Sequence, residues 1–258
     1  MRTLKLIIQY QGAQFSGWQI QPEKRTVQGV VQEILRKILD ESVDLVGSSR
    51  TDAGVHALGQ VAHIKTKSRM PMAKLHHALK RMLPNDISVI KISEERETFH
   101  SQKSTKKKTY RYWVWNSSIG HPQLAWMSWQ IPTPLNILKM KKAARYLVGT
   151  HDFMAFRAAD ASTKTSVRTI YKIRFRSQLK NTWAFSFFGK ISGQFFCIEF
   201  TGSGFLKNMI RNIMGTLVDV GREKIPPEEM KKILLSKDRR NAGMKVPAQG
   251  LFLVKIDY

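Results

Sequence analysis

Cysteine is nearly absent from this chain: among 258 residues there is one, Cys197, set in the apolar string QFFCIEF. A single thiol excludes an intrachain disulfide and any zinc or iron site built from clustered cysteines, and its apolar setting reads as core. Histidine offers no substitute ligand set. His76 and His77 are adjacent and cannot share one helical face, His151-Asp152 reads as structural, and neither an H-E-x-x-H nor a C-x-x-C string occurs. Phosphate-cradling loops are missing as well. No G-x-x-x-x-G-K-S/T string is present, and Gly202 to Phe205 lacks the third glycine and the acidic partner of a dinucleotide fingerprint, so no nucleotide cofactor is implied. No apolar run approaches the roughly 18 residues of a membrane span. The first residues, MRTLKLIIQY, lack the long apolar core and small-residue cleavage site of a signal peptide. The expectation is a cytoplasmic protein with no membrane attachment.

Acidic residues are scarce beside basic ones, 19 against 43, which leaves a net charge of +24. The excess is spread along the chain and exceeds what solubility requires. It favours a polyanionic partner, because each phosphate neutralised by Lys or Arg releases counterions. A membrane surface could draw on the same charge, but no basic amphipathic anchor stands out. The hydrophobic content of 42% is ordinary for a chain that buries a core, and the length suits one large domain or two small ones.

Leu4, Leu6, Ile8 and Tyr10 alternate as a half-buried strand. Thr26 is placed to cap a helix whose apolar residues, Val27, Val30, Val31, Ile34, Leu35, Ile38 and Leu39, fall on one face. Val43 to Ser49 and Gln60 to Thr66 read as strands joined by the turn-rich RTDAGVHALG; Pro71 opens a second helix carrying Leu75, Leu79 and Met82, and Ile87 to Ile92 closes the unit. The order β-α-β-β-α-β is that of a ferredoxin-like unit, with both helices on one face of an antiparallel sheet.

After the basic stretch SQKSTKKKT the order recurs. The pattern predicts a strand at Tyr110 to Trp115, a helix from about Leu135 to Val148, and strands near Val167 to Phe175, Trp183 to Phe187 and Phe195 to Phe200. A long helix from Phe205 to about Val220 follows, with Phe205, Met209, Ile213 and Leu217 on one face, then a short helix near Glu228 to Leu235 and a last strand from Leu251 to Ile256. The expected organisation is an N-terminal half at residues 1–104 and a C-terminal half at 105–258. Tyr112, Trp113 and Trp115, at strand spacing, are expected to pack the sheet.

The most informative segment is Gly47-Ser48-Ser49-Arg50-Thr51-Asp52-Ala53-Gly54-Val55-His56-Ala57. It places a cation, a carboxylate and a glycine in one short connection, where function concentrates. On turn chemistry alone, Asp52 could equally be a carboxylate accepting backbone N–H bonds beside a glycine of positive φ.

The whole string RTDAGVHALGQ resembles the catalytic segment of the TruA family of tRNA pseudouridine synthases. So do further stretches in order: YQGAQFSGWQIQP and TVQG near the N-terminus, then FHS with KKTYRY, LVGTHDFMAF, VRTI, GFLKNMIRNIMG and GLFLVKIDY. Together they span nearly the whole chain. The resemblance implies a mixed α/β pseudouridine-synthase fold of two ferredoxin-like halves with a mainly antiparallel central sheet and a basic cleft. It implies catalysis without metal or cofactor, a homodimer, and action on uridines 38, 39 and 40 in the anticodon stem-loop of tRNA.

By position in these motifs, the resemblance makes Asp52 the catalytic carboxylate. Forming pseudouridine breaks N1–C1′ and joins C5 to the same sugar carbon, which suits an ionised carboxylate near C1′, either as nucleophile or as stabiliser of developing positive charge. A carboxylate kept anionic away from water needs a cation; the family pattern assigns this to Arg211, which by itself would read as a solvent-facing helix arginine. Tyr110 matches the tyrosine that stacks on the flipped base. Arg50 matches the arginine thought to fill the space the base leaves, or it contacts a phosphate. Lys106, Lys107 and Lys108 would follow the RNA backbone or be a solvated strand end. Leu251 and Leu253 match apolar pocket-lining positions, or belong to the core.

Two stretches depart from the family pattern. Ser101, Gln102 and Lys103 stand where Ala-Arg-Phe is usual, and Ala242-Gly243-Met244-Lys245-Val246-Pro247 where Ala-Gly-Pro-Thr-Ala-Pro is expected. Neither touches Asp52, Tyr110 or Arg211; both bear on how RNA is gripped. Two other readings compete. A non-catalytic RNA-binding protein of the same fold would have no need of Arg50, Asp52, Tyr110 and Arg211 together, and the chain has no RNP-type aromatic string. A nuclease or methyltransferase would need a metal cluster, a histidine pair or a cofactor loop.

Overall fold

The computed structural model describes residues 1–160, 165–177 and 193–258. The chain is mixed α/β and divides into two units, Met1–Lys108 with Phe252–Tyr258, and Thr109–Leu251. Among the described residues no helix is long and apolar enough to cross a membrane.

The first unit is built on β1 (Arg2–Tyr10), which pairs antiparallel with β3 (His56–Thr66) on one side and β4 (Ile87–Glu95) on the other. The alternation read from the sequence is the burial pattern: Leu4, Leu6, Ile8 and Tyr10 all point into the core. Helix α1 (Val27–Leu39) starts where expected, with the Thr26 hydroxyl accepting from the Gly29 N–H, and buries Val27, Val31, Leu35 and Leu39. Helix α2 (Met72–Met82) follows Pro71 and buries Leu75 and Leu79. Met82 is 46% exposed in its last turn, so the predicted apolar stripe stops one position short. The two helices pack against each other.

The strand expected at Val43 to Ser49 shrinks to β2 (Val46–Gly47), paired antiparallel with His63 and Ala62 of β3. The cause lies on α1. Arg36 Nε donates to the Val43 carbonyl (3.0 Å), Gln32 Oε1 accepts from the Leu45 N–H (2.8 Å), and Gln28 Nε2 donates to the Leu45 carbonyl (2.8 Å). A polar stripe of helix side chains satisfies the main chain that a strand partner would otherwise satisfy. The same edge of β3, nearer its start, is taken by β10 (Leu251–Asp257), parallel, with Phe252 opposite His56 and Leu253 opposite Ala57.

In the second unit β5 (Lys107–Asn116) neighbours β9 (Gln194–Gly202), which pairs antiparallel with β8 (Val167–Ser177), and β8 pairs antiparallel with β7 (Gly149–Asp152). A short β6 (Trp129–Ile131), unforeseen in the sequence, runs parallel to the end of β5. The strand expected at Trp183 to Phe187 lies outside the described residues. Helix α3 (Ile137–Arg145) is shorter than the predicted Leu135 to Val148, because Asn136 caps it by accepting from the Lys139 N–H, and its far end tightens into i→i+3 bonds at Tyr146 and Leu147. Helix α4 (Met209–Gly221) starts four residues later than predicted: Asn208 is left-handed (φ 61°) and ends the preceding loop. Met209, Ile213 and Leu217 are buried as the spacing requires; Phe205 lies before the helix. Helix α5 (Glu229–Ser236) packs against α3. Cys197 is wholly buried on β9, and burial pushes its thiol up to about 11. Tyr112 and Trp115 are core, while Trp113 stacks on Phe195 with ring centroids 4.8 Å apart.

Candidate active site

Asp52 sits in the connection between β2 and β3, in the first unit. The Val55 N–H donates to its carbonyl (3.1 Å), and Gly54 at φ 78° supplies the left-handed residue that closes this turn. Asp52 is half-buried, Arg50 exposed, and Thr51 and Val55 buried. The acid is thus presented at the lip of a loop whose flanks are sunk into the unit.

The N-terminal segment of residues 10–18 holds those flanks. Trp18 N–H donates to the Thr51 carbonyl (3.1 Å), Gly54 N–H to the Phe15 carbonyl (3.3 Å), and Gly12 N–H to His56 Nδ1 (3.1 Å). The hydroxyls of Tyr10 and Thr51 are 2.8 Å apart. Two glycines make the approach possible. A Cβ on Gly12 would lie 2.0 Å from the Val55 carbonyl oxygen; one on Gly17, itself at φ 97°, would lie 2.7 Å from the Thr51 carbonyl oxygen. Sequence reading places both segments in one family pattern but gives the glycines no role. Their signal is two glycines five residues apart between aromatic residues, intelligible only when the loop they touch is known.

The base of the loop is fixed by buried polar groups. Gln60, fully buried on β3, donates through Nε2 to the Ser49 carbonyl (2.6 Å) and accepts at Oε1 from the Ser49 N–H (3.3 Å). Ser48 Oγ lies 2.8 Å from Thr105 Oγ1. Lys108 Nζ donates to the Ser48 carbonyl (2.6 Å) and reaches Ser49 Oγ at 3.4 Å. Of the three lysines grouped in the sequence, then, Lys108 is half-buried against the loop that carries Asp52, while Lys106 and Lys107 are exposed, with Lys107 Nζ 3.8 Å from Asp257. Leu253 is buried in register with Ala57.

Tyr110, Arg211 and Leu251 belong to the second unit. Tyr110 is buried on β5 with its ring edge-on to Phe205, centroids 5.3 Å apart and planes at 82°. Arg211, half-buried in the first turn of α4, donates from Nε to the Val246 carbonyl (2.7 Å) and from Nη1 to Asn208 Oδ1 (3.4 Å). The segment that supplies this carbonyl is the one departing from the family pattern. It packs closely on the helix: a Cβ on Gly215 would lie 1.9 Å from the Met244 carbonyl oxygen, and Gly243 N–H donates to Thr216 Oγ1 (2.8 Å). Because the grip on Arg211 is a main-chain carbonyl, the changed side chains leave it in place. Tyr112 donates to the Pro247 carbonyl (2.7 Å); burial raises its phenol well above the ordinary tyrosine range, against the opposing charge of Arg211. Leu251 is buried, its N–H bonded to the Ala248 carbonyl (2.9 Å). Among the described residues no three His, Cys, Asp or Glu side chains gather into a metal-ligating group.

The family described as tRNA pseudouridine synthase matches residues 6–103 and 143–258. Curated proteins named tRNA pseudouridine synthase A are similar along the whole chain. The identity is 43% over 258 residues for that of Thermoanaerobacter sp. (strain X514), 42% over 259 for that of Acetivibrio thermocellus, and 40% over 258 for that of Geotalea uraniireducens; each alignment covers 100% of both proteins. A solved structure, of the archaeal box H/ACA sRNP Nop10-Cbf5 complex, aligns over 84% of this chain and 43% of that one at TM-score 0.37 and 10% identity, too slight a likeness to add to the full-length matches.

Proposed function

Since the chain belongs to the tRNA pseudouridine synthase family, and is therefore an isomerase acting on tRNA uridines, we propose that its targets are positions 38, 39 and 40 of the anticodon stem-loop. The observation that carries the mechanism is the clamped loop. Asp52 is offered at the surface of a turn whose neighbours Thr51, Val55 and His56 are pinned by the segment around Gly12 and Gly17. A carboxylate so held does not have to be ordered when substrate arrives, which is the condition for effective positioning.

In this reading the uridine is flipped out and its ring stacks on Tyr110, which Phe205 holds edge-on. The Asp52 carboxylate meets the nucleotide as N1–C1′ breaks, uracil turns, C5 bonds to C1′, and the proton on C5 leaves as N1 gains one, so no atom is gained or lost overall. Arg211 keeps the acid ionised, its guanidinium oriented by the Val246 carbonyl. Arg50, exposed two residues before Asp52, enters the gap in the stem or takes a phosphate. Lys106 and Lys107 follow the backbone, and Lys108 braces the loop from beneath. Leu251 and Leu253 are the apolar lining beside the base. Residues 1–104 supply the aspartate loop, and residues 105–258 the tyrosine and the arginine. The working form is a cytoplasmic homodimer, as a compact chain of this size covers little of a tRNA.

Incubating the protein with unmodified tRNA and mapping pseudouridine tests this. Wild type is expected to modify the anticodon stem-loop, and Asp52→Ala to form no product while still binding tRNA, since affinity rests mainly on phosphate contacts. Product elsewhere in the tRNA would remove the site assignment, and an active Asp52→Ala would remove the role of Asp52.

A further inference from the structure

In the second unit, a cavity of about 300 Å³ opens between the 3-10 turn Met154–Phe156 with the residues that follow it and the turn after α5. Met154, Arg157, Ala158, Ala159, Lys237, Asp238 and Arg239 line it. Its charges do not balance. Each nearby carboxylate already has its own cation: Asp238 is held by Arg240 (2.6 Å), Asp152 by Lys237 (3.4 Å) and Asp160 by Lys207 (2.6 Å). Among the described residues no carboxylate comes within ion-pair distance of Arg157 or Arg239.

Arg239 is tied by neutral acceptors only. Nη1 donates to the Ala242 carbonyl (3.0 Å) and Nη2 to Asn212 Oδ1 (3.0 Å). A guanidinium carries five N–H groups, so three are left for another acceptor. Partial burial draws the group below its ordinary pKa. The tie fixes the fork in direction, because Asn212 is itself fully buried and anchored through Nδ2 to the Phe156 carbonyl (2.8 Å). A fixed guanidinium with a second arginine lining the same cavity suits an anion with several oxygens.

We propose that this cavity binds a backbone phosphate of the RNA substrate, gripped between Arg157 and Arg239. The site is separate from the residues given roles in the isomerisation, and it rests on the reading of the protein as a tRNA-modifying enzyme. It also touches α4 on the residue next to Arg211: Asn212 holds Arg239, and Arg239 holds Ala242, where the segment ending at the Val246 carbonyl begins. A phosphate seated there would brace the same segment that orients Arg211.

Binding of unmodified full-length tRNA across a salt series decides it. Arg157→Gln is expected to weaken binding roughly tenfold at about 0.1 M salt and to lower the slope of log affinity against log salt by about 0.7 to 0.9, the loss of one phosphate contact. Arg157→Lys, which keeps the charge, should retain the slope. Lys37→Gln removes the same charge from an exposed position on α1 and should leave the slope as in wild type. A wild-type slope in Arg157→Gln overturns the proposal. So does an equal loss in Lys37→Gln, which would make net charge the cause, or an equal loss in Arg157→Lys, which would make Arg157 structural. Pseudouridine formation by wild type, scored separately, reports on the underlying reading and does not depend on the slope.

Discussion

Arg211 Nε donates to the main-chain carbonyl of Val246 at 2.7 Å. An arginine so tied directs its terminal nitrogens along one line, whereas a lysine, with no Nε, cannot keep that bond and extend its charge as well. The tie spans 35 residues and depends on the close packing of Met244 against Gly215.

Arg211→Lys is therefore expected to retain the fold and tRNA affinity while single-turnover pseudouridine formation slows by about 10²-fold, the scale of losing one oriented charge-stabilising donor. Rapid-quench assays beside a thermal melt measure both. A lysine variant as fast as wild type would show that charge suffices at this position without direction.

The Asp52 loop makes a second demand, at Gly12. A methyl group there would meet the Val55 carbonyl oxygen at 2.0 Å, and both sides of that contact are main chain. Gly12→Ala should destabilise the protein by about 1–3 kcal/mol, the usual cost of overpacking, and reduce turnover more than tRNA binding, because the shift falls on the aspartate turn. Urea unfolding and a kcat against KM comparison separate the two effects.

What the sequence made legible follows from how local each cause is. Helix α1 was readable to the residue because the Thr26 cap and the apolar face both lie within it. Strand β2 was not: Gln28, Gln32 and Arg36 look like a solvent face until the chain at Val43 to Leu45 folds back on them. The late start of α4 comes from one left-handed residue, Asn208, with no periodic signature. In the candidate site, the string around Asp52 stood out by its family resemblance, but Gly12 and Gly17 act through contacts between segments far apart in sequence, and Gln60 through a side chain turned back onto Ser49 across the loop. Lys108 illustrates the same limit from the other side. Three successive lysines read alike, and only folding turns one of them toward the Ser48 carbonyl.

His63 gives the protein a pH dependence unrelated to catalysis. Burial, then the charges of His100 and Lys65, lower its pKa from 6.5 to about 4. The unfolded chain therefore binds the proton more tightly than the folded one. The stability this neutral imidazole contributes is complete above pH 6.5 and is lost as pH falls toward 4, at most about 3 kcal/mol. Urea midpoints should fall across that window in wild type and flatten in His63→Gln. An unchanged slope in the variant would assign the acid sensitivity to carboxylates instead.

Ser101 is the last test, because it stands where the family resemblance leads one to expect alanine. Its hydroxyl donates to the Val46 carbonyl (2.6 Å) on β2, and its N–H donates to His63 Nδ1 (3.2 Å). Its carbonyl accepts from Thr105 (2.8 Å) and Tyr258 (2.7 Å). The hydroxyl also lies 2.9 Å from His63 Nδ1, so two contacts need the serine side chain; the others are main-chain contacts that alanine would keep. Ser101→Ala should therefore cost about 1–2 kcal/mol, for a hydrogen bond lost in a buried site, and leave the rate of pseudouridine formation within about twofold. Stability and rate measured on the same preparation decide between two meanings of the departure. A stability loss alone makes Ser101 a tie that fastens β2, and with it the start of the aspartate loop, to the segment before β5. A slower reaction at unchanged stability would instead make it part of how this chain handles its substrate.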